Sequence, residues 1–325
     1  MASSSSRALN AILPQIASVP YEAHQKARTF ASRYIKSGQY DTAIDVLFQS
    51  ARELLKAGQL GSGIDLAGFL LEVYETKGEA VSGESRGRLT QLIALTGPNG
   101  TWRKTLIDKA LAWTVNHGDC PAGDQDLHHY VGELLYKEGV FDAAERHFLA
   151  SGKRDSARLL AEMFTVWSAE GGTAGVFALR GVIPYLQNGN ILAARTFIST
   201  FSAGVPKNTT VTLGDDEVVL TQDQVVNFAQ IAVVTCQRAQ GEKNKLMRES
   251  WVRLCGTYQS RGGVLALPEV RAPLNEIGNL YFAIPLPRTQ QTNPMGDIMS
   301  TLFGTPKDQQ PVRRLTTPGI SSGLD

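Results

Sequence analysis

The sequence lacks the features that mark a membrane-spanning or secreted chain. No apolar run among its 325 residues reaches the roughly 18 residues that cross a bilayer, and the most apolar stretch, 225–236, contains Asn227 and Gln230. The opening MASSSSRALN has no basic-then-apolar signal pattern. Cysteine is scarce and forms no CxxC pair; the three are Cys120, Cys236 and Cys255. These absences predict a protein of the reducing cytosol without direct membrane insertion.

Motifs of catalysis and of metal or nucleotide binding are also missing. The patterns GxxxxGK[ST], GxSxG and HExxH do not occur. A group of potential metal ligands near the middle of the chain matches no zinc-module spacing: His117, Cys120, His128 and His129. A formal net charge of +1, from 32 basic and 31 acidic residues, disfavours general nucleic-acid binding. We therefore expect no enzyme activity, no cofactor and no metal, and a helical enzyme remains an alternative that no motif supports.

A recurring phrase is the main positive signal. A helix-ending Gly is followed two residues later by an apolar residue and five residues later by a small one, at 34–47, 135–148 and 185–198, with a weaker copy from residue 54. Gly closes a helix in the left-handed conformation, and the small residue lets the next helix approach closely. The repeat predicts an all-α, right-handed superhelical α-solenoid of stacked, tetratricopeptide-like helix pairs, a fold that presents long surfaces to partners.

One segment breaks the helical pattern. Residues 209–220, TTVTLGDDEVVL, carry β-branched residues on both sides of Gly-Asp-Asp, which predicts a β-hairpin inserted in the carboxy-terminal half. Because a lone hairpin is marginally stable in water, it must pack on the helices or on a partner.

Composition divides the chain into four parts. Residues 1–20 are polar and predicted to be disordered, and residues 21–151 and 152–288 form the two halves of the solenoid. Residues 289–325 are predicted to be a mostly disordered tail with a short apolar patch at 295–304.

Five stretches taken together resemble a known family. They are YEAHQKARTFASRYIKSGQYDTAIDVL (21–47), GSGIDLAGFLLEVYE (61–75), DLHHYVGELLYKEGVFDAAERHFL (126–149), EVVLTQDQVVNFAQIAVVTCQ (217–237) and NLYFAIPLPRTQQTNPMGDIMSTLFG (279–304). The chain resembles the α-solenoid adaptors of the Golgi-to-ER traffic (GET) pathway. The resemblance implies a non-catalytic bridge in the delivery of tail-anchored membrane proteins. Its partners would be a targeting ATPase, which it regulates, and a ubiquitin-like-domain protein that connects it indirectly to a co-chaperone.

The resemblance places ATPase docking in the amino-terminal half. The implied residues are Tyr21, His24, Arg28, Arg33, Lys36, Asp65 and Glu72. Asp65 and Glu72 match acidic positions that tune nucleotide hydrolysis in the family. The family often has Arg where this chain has Lys36, and Lys keeps the charge but loses the bidentate fork. The alternative for Tyr21 and Lys36 is an ordinary exposed helix end.

The resemblance places the ubiquitin-like protein's amino-terminal segment on the hairpin and the helix after it. The implied contacts are Val218, Val219, Leu220 and Phe228. For Val219, Leu220 and Phe228 the alternative is simple internal core. For the whole chain the alternative is a scaffold subunit of another cytosolic helical-repeat complex, such as a proteasome lid or vesicle coat.

Overall fold

The computed structural model describes residues 4–98, 100–213 and 216–287. In these ranges the chain forms fourteen α-helices and one two-stranded antiparallel sheet. It divides into two compact units, one ending at Ser151 and the other beginning at Gly152. The predicted all-α fold class with a β-hairpin is confirmed.

The described part of the first unit forms eight helices. They span Ser4–Ile12 (α1), Pro20–Lys36 (α2), Tyr40–Lys56 (α3), Leu60–Lys77 (α4), Gly83–Leu95 (α5), Trp102–His117 (α6), Gln125–Lys137 (α7) and Phe141–Ser151 (α8). The spacing of apolar residues in α3 predicts a single buried stripe. The structure buries all of its members: Ile44, Leu47, Phe48, Ala51, Leu54 and Leu55.

These helices pack in two layers. Helix α4 contacts α2 on one side and α6 on the other, and the three form the α2–α4–α6 layer. In the second layer α1 contacts α3, α3 contacts α5, and α5 contacts α7. Helix α3 packs against both α2 and α4. Because α4 has neighbours on several sides, its apolar residues occur on most of its faces, and Leu66, Leu70 and Tyr74 are fully buried.

The recurring Gly ends a helix in each copy of the phrase. Four glycines adopt positive φ angles of 73–77°: Gly38, Gly58, Gly139 and Gly189. At the first of them, the Gln39 N–H donates to the Tyr34 carbonyl at 2.8 Å and the Gly38 N–H donates to the Ile35 carbonyl at 3.0 Å, the Schellman pattern. The small residue of the phrase is fully buried in the strong copies, as at Ala43 and Ala144. The phrase therefore builds each turn as predicted.

The predicted disorder of residues 1–20 is wrong for the part that the structure describes. Residues Ser4–Ile12 form α1, which packs on α3 and α2, and Ala8, Ile12 and Ile16 are buried. The run of serines hides an apolar spacing of four residues that is sufficient for a helix covering one end of the core.

The described part of the second unit carries six helices and the hairpin. Its elements span Arg154–Glu170 (α9), Ala174–Gln187 (α10), Ile191–Gly204 (α11), Lys207–Leu213 (β1), Asp216–Thr221 (β2), Gln224–Gln237 (α12), Lys245–Gln259 (α13) and Pro268–Phe282 (α14). Aromatic rings fill the space between the first three helices, where Phe164 meets Phe177 and Phe197 edge-on at centroid distances of 5.1 and 5.9 Å. The predicted tail, 289–325 with its patch 295–304, lies outside the described residues.

Candidate partner-binding surfaces

Three of the predicted ATPase-docking residues form one cluster between α2 and α4. His24 Nε2 lies 2.7 Å from Asp65 Oδ2, and Arg28 Nη1 donates to the same oxygen. Sequence spacing could not show this contact, because 41 residues separate His24 from Asp65. The turn after each helix brings α2 and α4 side by side and makes the pairing possible.

Hydrogen bonding fixes the proton arrangement in this cluster. Gln25 Nε2 donates to His24 Nδ1 at 3.3 Å, which leaves His24 Nε2 to donate to Asp65. Burial alone would raise the pKa of Asp65, but the hydrogen bonds from His24 and Arg28 outweigh it and lower the pKa below its ordinary value. Asp65 is therefore a carboxylate held in one orientation by two donors from α2.

Aromatic rings extend the cluster at both ends. The Arg28 guanidinium lies over the ring of Phe69, 5.1 Å from its centroid and one turn beyond Asp65 on α4. The Tyr21 ring lies 6.3 Å from the His24 ring and is 69% exposed. Sequence reasoning missed Phe69, although its position four residues after Asp65 is the signal that places both on one face.

The other predicted ATPase residues lie outside this cluster. Arg33 is exposed and, with Tyr21 and Phe30, lines a shallow depression of about 460 Å³ on α2. Lys36 is exposed in the last turn of α2, and Glu72 is exposed two turns after Asp65 on α4. The α2–α4–α6 layer thus presents the hydrogen-bonded carboxylate of Asp65 and the exposed charges of Lys36 and Glu72.

The hairpin is fastened to α12 by two side-chain amides. The Val219 N–H donates to Gln230 Oε1 at 3.0 Å, and Gln230 Nε2 donates to the Val219 carbonyl at 2.7 Å. Asn227 repeats the arrangement at Thr221, accepting from its N–H at 2.8 Å and donating to its carbonyl at 3.0 Å. Asn227 and Gln230 lie three residues apart and therefore on the same face of α12. From that face they bond to Thr221 and Val219, which are alternate residues of β2. Of the two possibilities for the hairpin, packing on the helices is the one observed.

Burial corrects two of the four predicted contacts with the ubiquitin-like protein. Val218 and Phe228 are each only 1% exposed, so both are core residues and neither is available to a partner. Val218 points towards the helices because β2 packs on α12, and Phe228 packs against Tyr258 of α13 at a centroid distance of 5.3 Å. Val219 and Leu220 are half-buried and remain accessible.

Known proteins match this chain over nearly its whole length. A family model described as Golgi to ER traffic protein 4 matches residues 37–303. The Aspergillus fumigatus protein of that name is 33% identical over 94% of this chain and 94% of its own length. The Schizosaccharomyces pombe protein is 30% identical over 88% of this chain and 92% of its own. The chain belongs to the Golgi to ER traffic protein 4 family.

A solved structure agrees with this membership. The crystal structure of C. therm. Get4 matches with a TM-score of 0.80 at 31% identity, covering 95% of this chain and 100% of that one. The fold class of an α-solenoid is confirmed, and the Golgi to ER traffic protein 4 family supports a role in Golgi-to-ER traffic. Asp65, Glu72 and the hairpin lie inside the matched range, whereas the α2 residues from Tyr21 to Lys36 precede it.

The described ranges contain neither a helix that could cross a membrane nor a cluster that could hold a metal ion. No helix there combines the length and apolarity needed to cross a bilayer. No group of three or more His, Cys, Asp or Glu side chains there could hold a metal ion. Of the four potential ligands noted in the sequence, His128 pairs with His147 of α8, their Nδ1 atoms 3.0 Å apart, and its Nε2 lies 2.9 Å from the Ala122 carbonyl.

Proposed function

We propose that this member of the Golgi to ER traffic protein 4 family is a non-catalytic cytosolic adaptor in the delivery of tail-anchored membrane proteins. It bridges a targeting ATPase, which it regulates, and a ubiquitin-like-domain protein that leads on to a co-chaperone. Family membership supports the pathway, and the bridging of these two partners is the proposal.

The observation that carries the proposal is the arrangement on the α2–α4–α6 layer. His24 and Arg28 hold the Asp65 carboxylate, while Tyr21 is exposed beside them. Side chains held in one orientation lose little conformational entropy on binding, and exposed tyrosine is enriched in protein interfaces. The cluster has the properties of a protein-docking surface. A hydrogen-bonded His–Asp pair is also the arrangement of a general base, but both ring nitrogens of His24 are already bonded, one to Gln25 and one to Asp65, so neither is free to activate a nucleophile or a water molecule.

A second surface supports the other half of the bridge. The hairpin is anchored to α12, so Val219 and Leu220 are presented on a fixed support. We assign the ubiquitin-like protein's amino-terminal segment to these two half-buried aliphatic side chains and exclude the buried Val218 and Phe228 from the contact.

The test of the bridge uses the full chain, the ATPase and the amino-terminal segment of the ubiquitin-like protein. Lys36→Glu is compared with Lys137→Glu, since both lysines lie in the last turn of a helix and are exposed. Losing one exposed ion pair and gaining a like-charge contact costs roughly 1–2 kcal/mol, so Lys36→Glu should raise the Kd for the ATPase about 5- to 30-fold. Lys137→Glu should leave it unchanged.

Capture of the ATPase on immobilised ubiquitin-like segment measures the bridge itself. Capture should require the chain and should fall with Lys36→Glu, although that variant still binds the segment. A chain that binds neither partner, or an ATPase interaction equally weakened by both charge reversals, would contradict the proposal.

A further inference from the structure

The α2–α4–α6 layer continues beyond the Asp65 cluster onto α6. Gly61 and Gly68 lie seven residues apart on one face of α4. A Cβ added at Gly61 would lie 4.0 Å from Trp102 Cη2, and one added at Gly68 would lie 3.2 Å from Lys109 Nζ. Trp102 and Lys109 are also seven residues apart, so they form a matching row on α6 that covers the bare backbone of α4.

Trp102 is the unusual member of this row. Its side chain is 43% exposed, whereas Trp113 and Trp251 are 1% and 3% exposed. Its indole lies over the bare backbone at Gly61 without being enclosed, which leaves a large apolar surface in contact with water. Tryptophan in such a position is the residue type most enriched among interface hot spots.

The layer carries charges of both signs. Arg28 extends from α2, Asp65 and Glu72 lie on α4, and Lys109 extends from α6. Lys109 approaches α4 at Gly68, three residues after Asp65 and four before Glu72. Neither Glu72 nor Lys109 has an ion-pair partner within 4.0 Å in the part of the chain that the structure describes. These two charges are therefore available to groups of opposite sign on a partner.

We propose that the docking surface of this unit is three helices wide and that Trp102 on α6 is its apolar anchor. The inference rests on the proposed function and extends its ATPase site: Trp102 enters an apolar pocket of the ATPase, while Glu72 and Lys109 meet a basic and an acidic group beside it. The ATPase is the occupant because the α6 row is continuous with the Asp65 cluster and a mixed-charge surface with one aromatic anchor fits a folded protein partner.

The test measures ATPase binding by the full chain carrying Trp102→Ala, Trp102→Phe or Lys109→Glu. Val140→Ala is the control, because Val140 has a similar exposure of 41% and lies between α7 and α8, outside the layer. We expect Trp102→Ala to raise the Kd at least about tenfold, as loss of a hot-spot aromatic does, and Trp102→Phe to restore part of the affinity. Unchanged circular dichroism of the variants excludes unfolding as the cause.

Tryptophan fluorescence gives an independent measurement. The part of the emission that Trp102→Phe removes should be readily quenched by acrylamide in the free chain and protected in the complex. A Kd within twofold of the unmodified value for Trp102→Ala, while Lys36→Glu still weakens binding, would overturn this inference and leave the proposed function intact. Self-association of the chain alone that Trp102→Ala abolishes would also overturn it, because a second copy would then occupy the surface. Absence of ATPase binding by the unmodified chain would defeat the proposed function and this inference together.

Discussion

Acid is expected to weaken the pairing of α7 with α8 through the buried contact of His128 with His147. His128 Nε2 donates to the Ala122 carbonyl, so its Nδ1 must accept the proton that His147 Nδ1 donates across 3.0 Å. Protonating His128 would place two N–H groups against each other. Protonating His147 would bury a positive charge close to the charge of Arg146.

The expected loss of stability follows from the pKa of His147. Burial, with smaller contributions from His128 and Arg146, lowers this pKa from 6.5 to about 4. Between these two values the unfolded chain binds a proton that the folded chain does not, so the free energy of unfolding falls as the pH falls. The loss from His147 alone amounts to about 2 kcal/mol by pH 5 and about 3 kcal/mol by pH 4. Burial also lowers the pKa of His128, against the raising effects of the Ala122 carbonyl and Asp124, and adds a loss of the same sign.

Hydrogen exchange of the α7 and α8 amides at pH 7 and pH 5 is the assay, corrected for the intrinsic effect of pH on exchange. His147→Asn is the informative variant, because its amide nitrogen can still donate to His128 Nδ1 but does not titrate. It should lose most of the pH dependence at these amides. His117→Asn, at an exposed position in the last turn of α6, should keep it. Equal pH dependence in the unmodified chain and in His147→Asn would refute this reasoning.

Two further predictions concern the partner surfaces. His24→Asn and Asp65→Asn, made singly and together, should show a coupling of about 0.5–3 kcal/mol in the free energy of unfolding because the side chains are hydrogen-bonded; additive effects would contradict the cluster. Replacing Val219 and Leu220 together by Ser should weaken binding of the ubiquitin-like segment at least about tenfold in calorimetry and leave ATPase binding unchanged. The control Leu192→Ser, at a 64% exposed position on α11, should change neither interaction. An equal loss of segment binding in the control would count against the hairpin surface.

Local sequence signals were sufficient for the turns and helices. Gly38 and its counterparts close their helices because only glycine reaches the left-handed conformation cheaply, and that property does not depend on the rest of the fold. The spacing of the apolar residues in α3 likewise predicts its buried stripe, because the helical period does not depend on the rest of the fold. The helix at Ser4–Ile12 differs from the predicted disorder because its serine-rich composition favours disorder whereas the spacing of its apolar residues favours a helix.

The contacts that define the sites depend on elements far apart in the sequence. His24 and Asp65 are both predicted site residues, but their bond requires α2 and α4 to be neighbours in the same layer. Val218 and Val219 are adjacent and chemically identical, and only the direction in which β2 faces α12 decides that the first is buried and the second accessible. A pattern within one element cannot supply that direction.

The amide fastening of β2 also restricts how a partner can recognise the hairpin. One edge of β2 is paired with β1, and on the other edge the backbone groups of Val219 and Thr221 are already bonded to Gln230 and Asn227. No row of free N–H and C=O groups remains along these residues for an incoming strand, so β-augmentation, and the edge-to-edge aggregation that uses the same groups, is blocked there. Recognition at β2 must therefore use side chains, and an incoming strand could pair only along the outer edge of β1. Asn227 and Gln230, the two polar residues in the most apolar stretch of the sequence, thus prevent the outer edge of β2 from pairing with a strand of another chain.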